Sequence, residues 1–116
     1  FQEAKTKAMT NIYFDLDRAI IREQDKSSLQ TLANFLRSYP QIKVQISGHA
    51  DERGTNEYNL ALGNKRASAT VTYLKGLGID ESRLQSISFG KEKPLCNESN
   101  ESCWSRNRRA EFTPIN

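Results

Sequence analysis

The sequence predicts an α+β (mixed α/β) domain in the order strand, helix, strand, helix, strand, strand, with its helices packed on one face of a single sheet. Three observations carry this. Ile12, Phe14 and Leu16, and again Ile42, Val44 and Ile46, alternate with polar residues at the period of a half-buried strand. Leu29, Leu32, Ala33 and Leu36 recur at the i, i+3, i+4, i+7 spacing of a helix. Pro40, Gly48, Gly54, Gly76, Gly78 and Gly90 punctuate the chain between these segments.

The first strand is expected over residues 11–15. After a loop, Asp25 is a suitable N-cap for a helix that stops near Tyr39, because the residue before a proline disfavours helical backbone. The second strand runs from Ile42 to Ser47 and ends at Gly48. Following the Gly54-Thr55-Asn56 turn, a long helix is expected from about Glu57 to Leu77, with Ala67, Val71 and Leu74 as its apolar stripe and Gly76 or Gly78 at its left-handed cap. Asp80 to Arg83 makes a short turn, and Leu84 to Phe89 is a third strand with Ile87 and Phe89 on one face. A short helix around Ser102 to Asn107 precedes a last strand marked by Ala110 and Phe112. Residues 1–10 read as an N-terminal tail and 11–116 as the one domain.

Its 116 residues suffice for a core without a metal or a disulfide framework. Seventeen basic against 14 acidic residues give a formal charge of +3, scattered rather than clustered. The densest basic patch, Arg106, Arg108 and Arg109, interleaves with Asn107 and precedes a strand, so no nucleic-acid partner is expected. No apolar run approaches the ~20 residues of a membrane span, and Phe1-Gln2-Glu3-Ala4-Lys5 is too polar for a secretory h-region.

The most informative stretch is Gly48-His49-Ala50-Asp51-Glu52-Arg53-Gly54, followed by Asn59, Leu62 and Arg66-Ala67. Asp51 sits on the loop leaving the second strand, and Arg66 lies beside the apolar stripe of the next helix, so an acid and a base converge on one strand-loop-helix unit. A guanidinium takes a carboxylate in a two-pronged hydrogen bond and a carboxylate takes an ammonium, which makes a site for a zwitterion. The alternative is that Asp51 and Arg66 neutralise one another in a structural ion pair. An exposed pair contributes only about 0 to 1 kcal/mol, so its loss is expected to affect binding more than folding. Asn59 and Leu62, one turn apart on the helix of Arg66, face the same loop; Leu62 reads as an apolar wall or as core, Asn59 as a ligand contact or a cap of the loop.

The spaced pattern, continued by Ile79, Asp80, Arg83, Leu84, Gly90, Pro94 and Asn107-Arg108-Arg109-Ala110-Glu111-Phe112, resembles the OmpA-like peptidoglycan-binding domain, and within it the branch of peptidoglycan-associated lipoproteins. The resemblance runs from Ile12 to Phe112. It implies a four-stranded mixed sheet whose first two strands run parallel, and a ligand, the diaminopimelate of a peptidoglycan stem peptide, gripped by Asp51 and Arg66. Phe14 and Asp15 match the aromatic-acid pair lining that pocket, and Asn107 and Arg108 match a closing motif packed near it, while Arg109 and Glu111 point to the outer sheet face. Ala50 stands where many relatives have threonine, leaving only a backbone contact there. The resemblance further implies an outer-membrane protein facing the periplasm, held by a lipid on a segment preceding Phe1 whose linker ends in the tail, and the periplasmic proteins of the Tol system as partners. The alternative within the same class is the wall-binding module of a porin or of a flagellar stator protein.

Cys96 and Cys103 flank a polar loop, and a disulfide suits the oxidising periplasm the resemblance implies. Closing so short a loop restrains the unfolded chain by roughly 2 to 3 kcal/mol. Half of a zinc site is the competing reading, but His49 is the only histidine and the spacing matches no common four-ligand pattern; no metal or cofactor is expected. His49, Ser47, Asp51 and Asp15 are raw material for a hydrolase, and paired acids such as Asp15 and Asp51 suit glycoside cleavage. No nucleophile elbow accompanies them, so catalysis is not expected, and His49 reads as a hydrogen-bonder that orders the loop.

Overall fold

The structure is a computed structural model that describes residues 1–115. Helix α1 spans Gln2–Ala8, strand β1 Ile12–Tyr13, helix α2 Lys26–Ser38 and strand β2 Lys43–His49. Helix α3 spans Asn56–Gly76, strand β3 Leu84–Gly90, helix α4 Glu101–Asn107 and strand β4 Arg109–Ile115. The sheet has the order β1-β4-β2-β3, with β2 and β3 parallel and β4 antiparallel to both β1 and β2. β1 and β2 therefore run in the same direction, as expected, but with β4 between them.

Alternation along β2 decides the layers. Val44 and Ile46 are fully buried beneath the helices, whereas Lys43 is exposed on the opposite face. The α2 residues Leu29, Leu32, Ala33 and Leu36 all join this core, together with Ile12, Phe14, Ala67, Leu74 and Ala110. Each large apolar side chain so buried contributes about 1.5–3 kcal/mol.

Several expectations need correction. The stretch read as a tail is helical through Ala8, and Phe1 packs its ring edge-on to Tyr39 at 5.0 Å. The first strand has only two residues, and the Phe14 N–H still donates to the Arg108 carbonyl in the β1–β4 register before the chain turns away. Asp25 does not cap α2; its carboxylate instead accepts from the Tyr13 N–H and from Arg22, tying the β1–α2 connection down. The cap of α3 is Thr55, whose hydroxyl accepts from the Tyr58 N–H, and Gly78 takes the left-handed backbone after it at φ +95°.

β2 continues past Gly48 to His49, which pairs with Gly90 of β3, and Gly48 lies against α3 itself. A Cβ on Gly48 would stand 1.8 Å from the Gly63 carbonyl oxygen, so strand and helix meet backbone to backbone. The outer face behind this contact is also closed. Phe89, Lys93 and Arg109 cover Ser47 and His49, with the Lys93 ammonium 4.1 Å from the centre of the Phe89 ring and Arg109 donating to the Lys93 carbonyl at 2.9 Å. Arg109 and Glu111 lie on the outer face as expected, yet Arg109 is 2% exposed and paired to Glu111 at 2.6 Å.

Candidate functional site

The loop after β2 and the first half of α3 border a narrow cleft lined by Leu16, Asp17, Ala50, Asp51, Arg53, Asn59, Leu62 and Arg66. The Gly48–Gly63 contact draws α3 close enough to set Arg66 against the end of the sheet. The Arg66 side chain is fully buried. Its Nε donates to the Arg18 carbonyl at 2.9 Å, Nη1 to His49 at 2.8 Å and Nη2 to Asp15 at 3.1 Å, and the Phe14 ring lies beneath its guanidinium carbon at 5.3 Å. Three of its five N–H groups are thus fixed by backbone, and the other two make no hydrogen bond among the described residues. Burial first and the charge of Arg108 second lower its pKa to about 10, with Asp51 working in the opposite direction.

Asp51 faces the same cleft but is not the partner of Arg66. Its Oδ1 accepts from the Arg53 N–H at 3.0 Å and its Oδ2 from Arg53 Nη2 at 2.8 Å, and Arg108 Nη1 stands 3.6 Å away. The structural ion pair considered between Asp51 and Arg66 is therefore replaced by one between Asp51 and Arg53. Burial alone raises the Asp51 carboxyl, but the hydrogen bonds and charge of Arg53, with the charge of Arg108, hold it below the usual carboxylate range. Asp51 and Arg66 are 5% and 0% exposed, so the picture of an exposed pair does not hold, and for Arg66, with its three carbonyl partners, neither does the expectation that its loss matters little for folding.

Asn59 and Leu62 line the cleft as expected, Asn59 also donating to the Arg53 carbonyl at 2.9 Å, so it both faces the cleft and caps the loop. Phe14 and Asp15 do not line it. Phe14 is a core residue supporting Arg66 from below, and Asp15 contributes its carbonyl while its side chain is exposed. Asn107 is turned away as well. Its side-chain amide is locked to the Leu95 N–H at 2.7 Å and the Cys96 carbonyl at 3.2 Å. Arg108 does reach the site, gripping the Phe14 carbonyl and both Glu101 carboxylate oxygens. Arg108 and Arg109 of the basic patch are buried and paired, and Arg106 is its exposed member.

Sequence reasoning missed Arg53, Trp104 and the Tyr58–Asp17 bridge. Arg53 stacks 3.9 Å over the Trp104 ring, Trp104 Nε1 donates to Glu52 at 2.8 Å, and the Tyr58 hydroxyl donates to Asp17 at 2.9 Å across the cleft mouth. The signal for Arg53 was its place two residues after Asp51, the spacing of a carboxylate that closes a turn on its own backbone. Cys96 and Cys103 are bridged, which leaves neither sulfur free to hold a metal.

A model of the OmpA family matches residues 13–108. The chain belongs to the OmpA family. This OmpA-family domain is 48% identical over 99 residues to the peptidoglycan-associated lipoprotein of Brucella melitensis, an alignment covering 85% of the chain and 59% of the relative. It is 50% identical over 99 residues to that of Agrobacterium fabrum, covering 85% and 56%. The chain thus spans less than two thirds of the length of these relatives. The crystal structure of the peptidoglycan-associated lipoprotein from Burkholderia pseudomallei superposes with a TM-score of 0.88 at 43% identity, covering 90% of the chain and 89% of that one.

His49 is the remaining departure. It sits in β2 rather than in the loop, and its imidazole lies on the outer face, 3.2 Å from the Ser47 hydroxyl and 2% exposed. Its Nδ1 is buried and has no partner among the described residues. Burial first, then the charge of Arg109, lowers its pKa to about 4; Lys93 acts with Arg109 and Glu111 against it. Above pH 6.5 the ring is neutral in both folded and unfolded chains. As pH falls from 6.5 toward 4 the unfolded chain takes up the proton first, and stability drops by up to about 3 kcal/mol. Denaturant unfolding at pH 7.5 and pH 4.5 should show this loss, and His49→Gln should remove most of it.

Proposed function

We propose that this domain is a non-catalytic peptidoglycan-binding module that holds the diaminopimelate of a stem peptide in the cleft between Asp51 and Arg66. The carrying observation is the buried guanidinium of Arg66, pre-oriented by three carbonyls with two donors left over, opposite a carboxylate held in its charged form. A ligand carboxylate takes the free N–H groups, its ammonium goes to Asp51, and its methylenes lie along Ala50 and Leu62. The relatives, named as peptidoglycan-associated lipoproteins, support peptidoglycan as the ligand. The proposal extends to an outer-membrane anchor facing the periplasm, with a lipid upstream and the Tol-system proteins as partners.

Against an acyl-transfer alternative, Ser47 and His49 are buried on the sheet face turned away from the cleft, and Nδ1 of His49 has no hydrogen-bond partner among the described residues. A single contact of this size binds in the roughly micromolar range, and many copies on one polymeric wall gain by effective concentration.

Titration calorimetry of a diaminopimelate-containing stem peptide tests the reading. The native domain should bind, and Asp51→Asn, which keeps the shape and removes the charge, should weaken binding by at least about tenfold while the protein stays folded. Binding that is absent in the native domain, or indifferent to Asp51→Asn, rejects it.

A further inference from the structure

We infer that the Cys96–Cys103 disulfide positions the Asp51 wall of the cleft, and that its reduction by a dithiol weakens ligand capture while the domain stays folded. The inference rests on the ligand reading above. It starts from α4, whose seven residues are too few to stand as a helix in water without tertiary support. Two devices hold α4. At its start, Asn100 Oδ1 accepts the Cys103 N–H at 3.0 Å and the sulfur of Cys103 is bonded to Cys96. At its end, the Asn107 amide bridges back to Leu95 and Cys96 and donates to the Cys103 sulfur at 3.6 Å. The disulfide and Asn107 together make one clasp around the loop.

Two lines of contact run from this clasp to Asp51. Trp104 on α4 holds Glu52 at 2.8 Å and carries the stacked guanidinium of Arg53, which in turn holds Asp51. Glu101 on α4 takes Arg108 in a two-pronged bond, and Arg108 reaches Asp51 at 3.6 Å. Arg66 depends on none of this, since its three acceptors belong to Asp15, Arg18 and His49. Neither cysteine belongs to the apolar core between the sheet and the helices α2 and α3. Opening the disulfide therefore loosens one half of the cleft and leaves the other half and the fold in place.

The chemistry balances without an outside group beyond the reductant. A dithiol thiolate attacks one sulfur, the second thiol displaces the mixed disulfide, and two electrons and two protons pass to give the Cys96 and Cys103 thiols and an oxidised dithiol. Cys96, half-buried, is the more accessible end, while Cys103 is 2% exposed.

The test titrates the stem peptide into the oxidised domain, into the same domain reduced with dithiothreitol, and into Cys96→Ser/Cys103→Ser. Trp104, the single tryptophan, reports on α4 by its fluorescence, and far-ultraviolet circular dichroism reports on the fold. Reduction should raise the Kd about tenfold, change the Trp104 emission as the Arg53 stack is lost, and leave the dichroism nearly unchanged, with reoxidation restoring both. Equal binding and equal emission in all three forms overturn the inference. So does loss of the dichroism on reduction, because the bond then holds the fold rather than the wall. If the oxidised domain itself fails to bind, the ligand reading falls, and an unchanged Trp104 emission on reduction would overturn the positioning role separately.

Discussion

Arg66→Ala should cost the fold about 3–5 kcal/mol in addition to abolishing ligand capture. The guanidinium is wholly buried and satisfies the carbonyls of Asp15, Arg18 and His49, on two separate stretches of chain. Removing it leaves three acceptors without partners and an empty volume beside Phe14, and each buried unsatisfied polar group costs about 1–3 kcal/mol before water enters. Arg66→Lys should recover part of the stability and little of the binding. Its ammonium keeps the charge, but it cannot reach three carbonyls in different directions and still offer a fork to a carboxylate. Asp51→Asn should cost only about 1 kcal/mol, because Arg53 is partly solvated and regains water when released. Urea unfolding of the three variants beside the native domain decides the matter. An Arg66→Ala protein that unfolds at the native midpoint would mean that the three carbonyls do not depend on it.

This asymmetry changes how binding data on the two residues must be read. Asp51 can be neutralised in a folded domain, so its effect on affinity is local. Arg66 supports the β1–α2 loop as well as facing the cleft, and loss of binding in Arg66→Ala mixes a missing contact with a displaced loop. Arg53 adds a second consideration. It occupies the Asp51 carboxylate in the absence of ligand, so an incoming ammonium competes with a tethered guanidinium that keeps its stacking on Trp104 when it lets go.

How far the sequence led can be seen in α2 and α3. The stripe Leu29, Leu32, Ala33, Leu36 is apolar and wholly buried, and periodicity alone sufficed to find α2 and its inner face. α3 turns inward Asn59, Gly63, Arg66 and Thr70 beside Leu62, Ala67 and Leu74, so an apolar pattern picks out only its second half. Its first half is specified by backbone proximity and by polar bonds to other elements, which no local period encodes. The same holds at the site. Asp51, Arg66, Asn59 and Leu62 were legible because they share one strand-loop-helix unit, whereas the roles of Phe14, Asp15 and Asn107 depend on contacts 11 to 94 residues apart in sequence. Asp25 shows the opposite failure: a residue with the right chemistry and position for a cap was taken by a longer-range partner, the Tyr13 N–H.

Gly48→Ala should be among the most damaging single-methyl changes in the molecule. Its Cβ would lie 1.8 Å from the Gly63 oxygen and 2.6 Å from the Gly63 carbonyl carbon, and both are backbone atoms that cannot rotate away. A Cβ on Gly63 meets Gly48 in return, at 2.8 Å from its oxygen, and the Ser88 hydroxyl at 2.2 Å. Overpacking by one methylene ordinarily costs about 1–3 kcal/mol, and here relief requires α3 to move off the sheet, so a loss of about 4 kcal/mol or more is expected for Gly48→Ala. Because α3 carries Arg66, the displacement withdraws the guanidinium from the His49 carbonyl, and affinity should fall even under conditions that keep the variant folded. The two glycines relieve the same contact, so Gly48→Ala and Gly63→Ala should combine to less than their sum, the second methyl entering a gap the first has already opened. A double-mutant cycle by urea unfolding measures that coupling; strict additivity would show that the strand and the helix do not touch at this point.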